Sequence, residues 1–455
     1  MPVLCLCAAK ERVVRMNHTD EEILDFVEEH DVKFVRLSFC DLFGVQKNIA
    51  IMADCLPRAF AQGISFDGSA AAGFGSVECS DLFLVPDSSS VAILPWRPSH
   101  ERVMRMYCAV KRPDGTDFEG DSRYILKQAV ERAADMGCLC RVGTECEFYL
   151  FRNDEREMPT LTPFDHGSYG DIAPLDRCEN IRREICLSLE EMGMSPESSH
   201  HERGPGQNEV DFCYSDALTA ADHFITFKAA AKSIAMQNGL FASFMPKPLA
   251  GQIGNGMHIN LSLLKNGKNL FQIEPNHSQN AESFIQGILE RAAEITAFLN
   301  PLPNSYARLG EMEAPGYVTW SHQNRSQLIR IPAVQNGENT RMELRSPDPS
   351  CNPYLAFALL IHAGLDGIEK GLKLVPPCNQ NLYEAQEYIR DHKLQRLPRT
   401  LAEALTLAES SELVRRVLPE RTAGLYLQKK RVEWEQYLQA EDKAQFVYQN
   451  TFLFV

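Results

Sequence analysis

The stretch RVGTECEFYLF, residues 141–151, places two glutamates in a run that is otherwise mostly apolar and aromatic. The run has the composition of a buried strand, and residues two apart in a strand point to the same face. Glu145 and Glu147 should therefore share one face, while Cys146 packs on the opposite, apolar face. Two neighbouring carboxylates in apolar surroundings repel one another and lose hydration. The sequence thus predicts a compensating positive charge beside this pair.

Three other segments repeat this alternation of an apolar and a polar face. Their polar positions are His258, Asn260 and Ser262 in GMHINLSLL (256–264), Arg341, Glu343 and Arg345 in RMELRSPDP (341–349), and Glu209 and Asp211 in GQNEVDF (206–212). One such strand alone is typical of a half-exposed antiparallel sheet with a wet surface. Four strands, three of them with glutamate on the polar face, favour a shared site instead.

Divalent cations are the counter-charge that these residues favour. Mg²⁺ and Mn²⁺ bind carboxylate oxygens, and Mn²⁺ also accepts an imidazole. The candidate ligands for two or three ions are Glu145, Glu147, Glu202, Glu209, Glu343 and His258. Zinc is less favoured, because no cysteine lies on the polar faces.

Arginines gather around the same elements, and their planar guanidinium groups match carboxylates and phosphates. They are Arg308, Arg325, Arg330, Arg341 and Arg345. Cations and arginines without an evident covalent nucleophile suit phosphoryl transfer, which depends on charge neutralisation and positioning. The chain has no GxxxxGK[ST] loop, and the GxG of GQIGNGMH is a weak phosphate signal. The residues alone predict a metal-dependent, nucleotide-using enzyme that acts on an anionic substrate.

The composition sets the broad class of the protein. A chain of 455 residues predicts at least two domains, or a large barrel with a smaller domain. A net charge of -15 without a basic tract argues against nucleic acid or an acidic membrane surface as partner. The 14 scattered cysteines predict free thiols in a reducing cytoplasm. No apolar run is long enough for a membrane span, and residues 1–16 are interpreted as a disordered extension rather than a signal peptide.

The motifs resemble those of bacterial type I glutamine synthetase, in the same order from about residue 17 to 440. The likeness rests on FDGSAAAGF, GTECEFYLF, SSHHERGPGQNEVDF, MPKPLAGQIGNGMHINLSL, NSYARL, EAP, NRSQLIRIP and RMELRSPDPSCNPYLAF. It implies an α+β fold with a small N-terminal β-grasp domain over 17–120. A large catalytic domain, with a curved antiparallel sheet and surrounding helices, would cover 121–455. The subunits would form a dodecamer of two stacked hexameric rings, with each active site between neighbouring subunits.

The resemblance also implies a role for each matched position. One ion would be held by Glu147, Glu202 and Glu209, and the second, which bridges the ATP phosphates, by Glu145, His258 and Glu343. Glutamate would be bound by Arg308, Arg345 and Gly254, with Arg325 and Arg330 facing the transferred phosphate. The nucleotide-contact positions are Glu197, Tyr214, Asn260, Ser262 and Arg341. Asp67 of the neighbouring subunit would bind ammonium and remove its proton, and Glu313 in EAP would close over the intermediate as the flap glutamate.

The implied reaction has two steps and uses ATP as co-substrate. ATP phosphorylates the γ-carboxylate of glutamate, and ammonia then attacks the γ-glutamyl phosphate to give glutamine, ADP and phosphate. Ile253 departs from the family, which usually has an asparagine at this position. This change keeps open a γ-glutamyl ligase for an amine or polyamine. A catalytically inactive oligomeric homologue is the third hypothesis, since a fold alone does not guarantee activity.

Overall fold

The computed structural model describes residues 19–272, 278–335 and 337–455, so the extension over residues 1–16 lies outside the described part. The first described element is α1 (Asp20–Glu29), which begins as the sequence predicts. Thr19 and Glu22 form a capping box, in which the side chain of each accepts a hydrogen bond from the backbone N–H of the other, at 3.1 and 2.8 Å.

A six-stranded sheet forms the N-terminal part of the chain. Its strands are β1 (Val32–Cys40), β2 (Gln46–Met52), β3 (Ile64–Asp67), β4 (Asp81–Pro86), β5 (Ala92–Ile93) and β6 (Arg102–Lys111), in the order β2-β1-β6-β4-β3 with β5 beside β6. Only the β1–β6 pair is parallel among these strands. The sequence predicts that Arg36, Ser38 and Cys40 alternate with an apolar face, but Ser38 and Cys40 are buried, so the alternation fails in the second half of β1. Val35, Leu37 and Phe39 are buried as the apolar face. They share a core with residues of α1 and of α2 (Leu56–Gln62).

An eleven-stranded sheet forms the centre of the larger part. Its strands are β7 (Cys138–Asn153), β8 (Pro159–Pro163), β9 (Pro196–His201), β10 (Gln207–Phe212), β11 (Ser215–Asp216), β12 (Leu240–Ser243), β13 (Met257–Lys265), β14 (Lys268–Asn269), β15 (Trp320–His322), β16 (Ile329–Ile331) and β17 (Met342–Leu344). The main order is β15-β16-β17-β13-β7-β10-β9, and the pairs are antiparallel except β15–β16. The 16-residue strand β7 carries the opening stretch and pairs with five others, so it organises the sheet.

Ten further helices accompany this sheet within the described ranges. They are α3 (Ser122–Asp135), α4 (Glu179–Glu191), α5 (Ala217–Gln237), α6 (Gln279–Leu299), α7 (Pro353–Glu369), α8 (Gln386–Asp391), α9 (Leu401–Ser410), α10 (Glu412–Val417), α11 (Glu420–Gln439) and α12 (Lys443–Val447). Asp121 caps α3 and Asn352 caps α7, each through a side-chain oxygen that accepts from a backbone N–H of the first turn. Buried residues of α5, α6 and α7 share one core with the apolar faces of β7 and β13, and Cys146 lies in it. This packing leaves the polar faces of the same strands for a site.

Shorter turns complete the described elements. The 3₁₀ turns are Ala53–Cys55, Gly68–Ala70, Val77–Cys79, Ser88–Ser90, Pro303–Ala307 and Gly337–Asn339, and a π-helical turn spans Tyr448–Phe452. None of the helices in the described ranges is long and apolar enough to cross a membrane. No disulfide joins the twelve cysteines in the described ranges.

The strand expected over residues 341–349 is shorter than predicted and covers only Met342–Leu344. Pro347 and Pro349 lack a backbone N–H and cannot continue a ladder of hydrogen bonds. A turn replaces the strand, in which the backbone N–H of Ser350 donates to Asp348 Oδ1 at 3.1 Å.

The two sheets are joined by a buried ion pair that involves the first residues of α3. The Arg123 guanidinium donates to Asp222 on α5, at 2.9 and 3.0 Å, and to Asp87, which follows β4, at 2.6 Å. The predicted domain boundary near residue 120 lies just before this arginine, and it stays a prediction.

Candidate active site

The register of the central strands places like charges directly across from one another. Glu147 on β7 lies opposite Glu209 on β10, and Glu145 lies opposite Asp211. On the other side of β7, Glu145 lies opposite His258 of β13. Directly opposed like charges destabilise an antiparallel pair. The fold therefore concentrates negative charge at the centre of the sheet, as the opening stretch of sequence predicted.

The first group of candidate metal ligands consists of Glu147, Glu202 and Glu209. His200 joins two of these residues, because its Nε2 lies 3.0 Å from Glu202 Oε1 and 3.2 Å from Glu209 Oε2. Glu147 is held from the other side by the backbone N–H of Gly256, which donates to its Oε2 at 2.7 Å. Glu209 is thus common to two sets of ligand atoms that lie within 4.8 Å of one another, one with Glu147 and His258 and the other with His200 and Glu202.

The pKa values of this group reveal uncompensated negative charge. Burial, and then the charge of Glu202, raise the pKa of Glu147 to about 8. Burial and the charge of Glu147 raise the pKa of Glu209 well above its usual range. Burial also acts to raise the pKa of Glu202, but hydrogen bonds, first among them that of His200, lower it below its ordinary value. Such an all-oxygen group with excess negative charge fits a divalent cation such as Mg²⁺.

A second group consists of Glu145, His258 and Glu343, whose ligand atoms all lie within 4.8 Å of one another. His258 Nδ1 is 3.3 Å from Glu145 Oε2 and 3.9 Å from Glu343 Oε1. Burial, reinforced by the charge of Arg345, lowers the pKa of His258, which favours the neutral imidazole that binds metals. Burial acts to raise the pKa of Glu145, but the hydrogen bonds of His258 and Asn260 outweigh it and lower this pKa to about 2. This mixed oxygen and nitrogen set fits Mn²⁺ or Mg²⁺.

The buried Glu343 also gathers two of the predicted arginines. Arg330 Nε donates to its Oε2 at 2.7 Å, and the Arg345 guanidinium pairs with its Oε1. Arg308 is buried beside them, and its Nη1 donates to the carbonyl oxygen of Ser346 at 2.7 Å. The structure thus brings Arg308, Arg330 and Arg345 together.

Arg325 differs from these three arginines, because its side chain is exposed. Its carbonyl oxygen accepts a hydrogen bond from the Tyr383 hydroxyl at 3.3 Å. The guanidinium is therefore available to solvent rather than held by the Glu343 carboxylate.

The predicted nucleotide positions form two sets. Arg341 Nε donates to Asn260 Oδ1 at 2.9 Å, and Asn260 donates to Glu145 at 2.8 Å, so these two residues are linked to the second ligand group. Ser262 and Tyr214 lie around Arg141, which pairs with Ser262 across β7 and β13 and stacks over the Tyr214 ring at 5.5 Å. Glu197 is exposed on β9.

Sequence reasoning did not single out Arg141, His200 or the support behind Glu202. Arg141 Nε is buried and finds no hydrogen-bond partner among the residues that the structure describes. Behind the first ligand group, His201 Nε2 lies 2.9 Å from Asp165 Oδ1 and its Nδ1 lies 2.6 Å from the Glu202 carbonyl oxygen. The paired histidines before Glu202 were the one available signal, since one faces the carboxylates and the other supports the main chain.

Asp67 lies on the other sheet of the chain, whereas Glu313 is linked to the first ligand group only through Arg203 among the described residues. Asp67 ends β3 of the N-terminal sheet, is exposed, and accepts hydrogen bonds at 2.9 and 2.6 Å from the Ser69 N–H and hydroxyl, which lower its pKa. Within the described ranges, no hydrogen bond or ion pair links Asp67 to the carboxylates of the larger sheet. Glu313 is partly exposed, and its Oε1 lies 2.6 Å from Arg203 Nη1.

Gly254 lies where any side chain would collide with the protein. A Cβ there would be 2.3 Å from the carbonyl oxygen of Pro246 and 3.1 Å from the Arg308 side chain. We expect Gly254→Ala to destabilise the protein by about 1–3 kcal/mol and to displace Arg308. Thermal unfolding measures the loss of stability, and a crystal structure of the variant shows the displacement. Gly424→Ala is the matched control, because a Cβ at this helical glycine meets nothing within 4 Å and should be neutral or stabilising.

Comparisons with known proteins agree with this architecture. Two family models match, "Glutamine synthetase, beta-Grasp domain" over residues 31–113 and "Glutamine synthetase, catalytic domain" over residues 119–448. These matches confirm the expected α+β fold with a β-grasp domain before a catalytic domain.

Relatives with the same description cover nearly the whole chain. A glutamine synthetase of Methanosarcina mazei is 47% identical over 92% of this chain and 95% of the relative. One from Clostridium saccharobutylicum is 47% identical over 92% and 96%, and one from Staphylococcus aureus is 44% identical over 92% and 95%. Among solved structures, a GmaS/ADP complex matches with a TM-score of 0.84 at 31% identity, over 94% of this chain and 98% of that chain. GmaS without ligand matches with a TM-score of 0.83 at 32% identity, over 94% and 99%.

Proposed function

Because the chain belongs to the glutamine synthetase family of ATP-dependent carbon–nitrogen ligases, we propose that it joins ammonia to the γ-carboxylate of L-glutamate through a γ-glutamyl phosphate. The observation that carries the proposal is the double group of carboxylates across β7, β10, β13 and β17, with buried arginines beside it. Phosphoryl transfer needs charge neutralisation and positioning, and this group can provide both.

We assign the six predicted ligands to two cations. Glu147, Glu202 and Glu209 would hold one ion. Glu145, His258 and Glu343, whose ligand atoms lie within 4.8 Å of one another, would hold the other. When bound, Mg²⁺ or Mn²⁺ would neutralise charge on the ATP phosphates and the transferred group. The pKa of Glu147, raised first by burial and then by the charge of Glu202, supports this assignment, because a bound cation favours the charged carboxylate that both effects disfavour.

The protein's own cations would bind and orient the substrates. Arg308 and Arg345, with the backbone at Gly254, are assigned to glutamate, while Arg330 and the exposed Arg325 are assigned to the transferred phosphate. The nucleotide is assigned to Glu197, Tyr214, Asn260, Ser262 and Arg341. The hydrogen-bonded chain from Arg341 through Asn260 to Glu145 supports this assignment, since it links the nucleotide positions to a cation ligand.

Ammonia formation is assigned to Asp67 of a neighbouring subunit and to Glu313. An anionic pair favours ammonium over a neutral acceptor and can take its proton. Because Asp67 lies on the N-terminal sheet and not on the sheet that carries the ligand groups, we propose that it completes the site of a neighbouring subunit in a dodecamer of two stacked hexameric rings. A cytoplasmic location stays a prediction.

A γ-glutamyl ligase for an amine is the second candidate, and Ile253 motivates it. The Tyr149 hydroxyl donates to the Ile253 carbonyl oxygen at 2.7 Å, so this turn is fixed by its backbone while an apolar side chain replaces the family's usual amide. An organic amine would profit from apolar contact more than ammonium would. The inactive homologue is disfavoured, because all six ligand positions and the buried arginines are present.

An ATPase-coupled assay with Mg²⁺ and glutamate separates these candidates. Ammonium, methylamine, ethanolamine and putrescine would be offered in turn as acceptors. The proposal expects the highest kcat/KM with ammonium. Turnover with ammonium far below that with an amine would replace it by the second candidate, and ATP hydrolysis with none of the acceptors would support the inactive homologue.

Replacing Asp67 by alanine should impair the use of ammonium without impairing ATP binding. We expect kcat/KM for ammonium to fall by about 100-fold or more, the usual contribution of a general base, while the Kd for ATP changes less than about twofold. Steady-state kinetics and nucleotide titration measure the two quantities. Asp81→Ala is the matched control, since Asp81 is exposed directly across from Asp67 in the β3–β4 pair. An equal loss in both variants, or a loss of ATP binding, would contradict the role given to Asp67.

A further inference from the structure

Arg203 contacts both the carboxylate group and the flap segment, which we define as residues 310–316. Its backbone N–H donates to Glu202 Oε2 at 2.8 Å. Its guanidinium Nη1 lies 2.6 Å from Glu313 Oε1, and both side chains remain partly exposed, at 56% and 41%. One residue therefore links a proposed cation ligand, through its main chain, to the flap glutamate, through its side chain.

The backbone of the flap segment needs contacts that hold it. Gly310 has a φ of 78°, and Met312 and Glu313 have φ values of 22° and 68°. Residues with a side chain rarely adopt a positive φ, and they keep it only where the surroundings impose it. The described hydrogen bonds around Met312 and Glu313 are short-range turns, such as Ala314 N–H to the Glu311 carbonyl oxygen at 3.0 Å. A long-range bond holds only the end of the segment within the described residues, where Leu397 N–H donates to the Gly316 carbonyl oxygen at 3.0 Å. The Arg203 ion pair comes from a distant part of the chain, so it can fix the segment against the sheet.

We propose that Arg203 is a positioning residue that holds the flap segment against the carboxylate group until the acceptor arrives. The inference rests on the proposed function, because it takes Glu313 as part of the acceptor site. A cationic acceptor at Glu313 competes with the guanidinium for the same carboxylate, so the pair opens as the acceptor binds. Until then, the closed pair limits the access of water to the acyl phosphate, which would otherwise hydrolyse.

Hydrogen exchange of the flap amides tests this role without relying on catalysis. In the full-length oligomer with Mg²⁺, amides of residues 309–317 should exchange about two- to fivefold faster in Arg203→Met than in the unaltered protein, the size of effect that an exposed ion pair provides. Raising NaCl to about 1 M should accelerate exchange in the unaltered protein by a similar factor and leave Arg203→Met unchanged, because salt screens exposed charges.

The catalytic counterpart is the ratio of ADP to amide product. We expect this ratio to rise about two- to fivefold in Arg203→Met, because more acyl phosphate is lost to water, and to return towards one in Arg203→Lys. Arg390→Met is the matched control: its guanidinium is 74% exposed and pairs with the adjacent Asp391 at 3.7 Å. It should alter neither quantity.

Two results would overturn the inference: flap exchange in Arg203→Met that equals that of the unaltered protein, or an equal increase in Arg390→Met. Failure of the proposed function has a different signature. It would appear as the absence of glutamate-dependent ADP formation in the unaltered protein with every acceptor, while the exchange comparison would still decide the role of Arg203.

Discussion

Replacing Glu343 by alanine should lower the free energy of unfolding more than any other single substitution in the site. It should also abolish activity. The Glu343 side chain is fully buried and pairs with both Arg330 and Arg345. Arg345 is itself 4% exposed, so the change leaves a buried guanidinium without its counter-charge. Removing one partner of a buried pair costs about 3–5 kcal/mol. Urea-induced unfolding of the two proteins measures this difference.

The same substitution removes a proposed cation ligand beside His258. We expect kcat to fall by about 100-fold or more, since even supporting residues of metal sites contribute 10- to 100-fold. Glu343→Gln separates the two effects, because the amide fills the same space and restores part of the stability but carries no charge for a cation. A Mg²⁺ titration of activity for both variants tests the assignment.

Glu409→Ala is the control for a lost ion pair at the surface. Glu409 pairs with Arg431 at 2.6 Å, and both side chains are substantially exposed. Its removal should change the free energy of unfolding by less than about 1 kcal/mol and leave kcat unaltered. A Glu343→Ala protein that is as stable and as active as Glu409→Ala would contradict both the buried pair and the ligand role.

The alternation of apolar and polar residues in the sequence was sufficient to predict which side chains share one face of a strand. It placed Glu145 and Glu147 together and Cys146 in the core, because alternation along a strand is a local property. It overextended the strand at residues 341–349, since the pattern of polar residues continued past the prolines that end the hydrogen-bonded ladder.

Local patterns could not predict which residues meet across the sheet. His200 reaches Glu209 only because β9 pairs with β10, and Arg203 reaches Glu313 across a large separation in the chain. Such contacts depend on the register of strands and on the path of loops, which one sequence leaves open. The role of Asp67 depends in addition on a second subunit. The proposed roles of the site residues therefore came from the resemblance to a known family. The alternation along each strand predicted only which side chains lie on its polar face.

The stability of the metal-free protein should fall as pH rises from about 5 to 8. Burial and the charge of Glu202 raise the pKa of Glu147 from 4.5 to about 8, so the folded state holds this proton more tightly than the unfolded chain. Where the folded state binds more protons, the free energy of unfolding decreases with pH. The decrease begins above the unfolded pKa near 4.5 and is complete near pH 8. The raised pKa of Glu209 acts in the same direction.

Glu145 contributes with the opposite sign, but in a different range of pH. Its pKa is lowered to about 2, so its stabilisation is present above about pH 4.5 and is lost only as pH falls towards 2. Glu145 therefore does not contribute between pH 5 and 8, and a change of the Glu147 pKa from 4.5 to about 8 corresponds to at most about 5 kcal/mol. Other groups also titrate in this interval, among them Asp121, whose pKa burial raises to about 6, and Lys232, whose pKa burial lowers to about 7, so the part due to Glu147 is the difference between the unaltered protein and Glu147→Gln.

A divalent cation should remove this dependence, because it binds the charged carboxylates of the folded state and displaces their protons. We expect the Tm of chelator-treated protein to fall by several degrees between pH 5 and 8, and the Tm in saturating Mg²⁺ or Mn²⁺ to stay level or rise. Glu147→Gln is the matched variant: it cannot ionise, so its metal-free Tm should depend less on pH, and Mg²⁺ should stabilise it less. If the metal-free unaltered protein and Glu147→Gln showed the same dependence of Tm on pH, the excess of negative charge at this cluster would not exist. The electrostatic reason for placing a cation beside the two glutamates of β7 would then be lost.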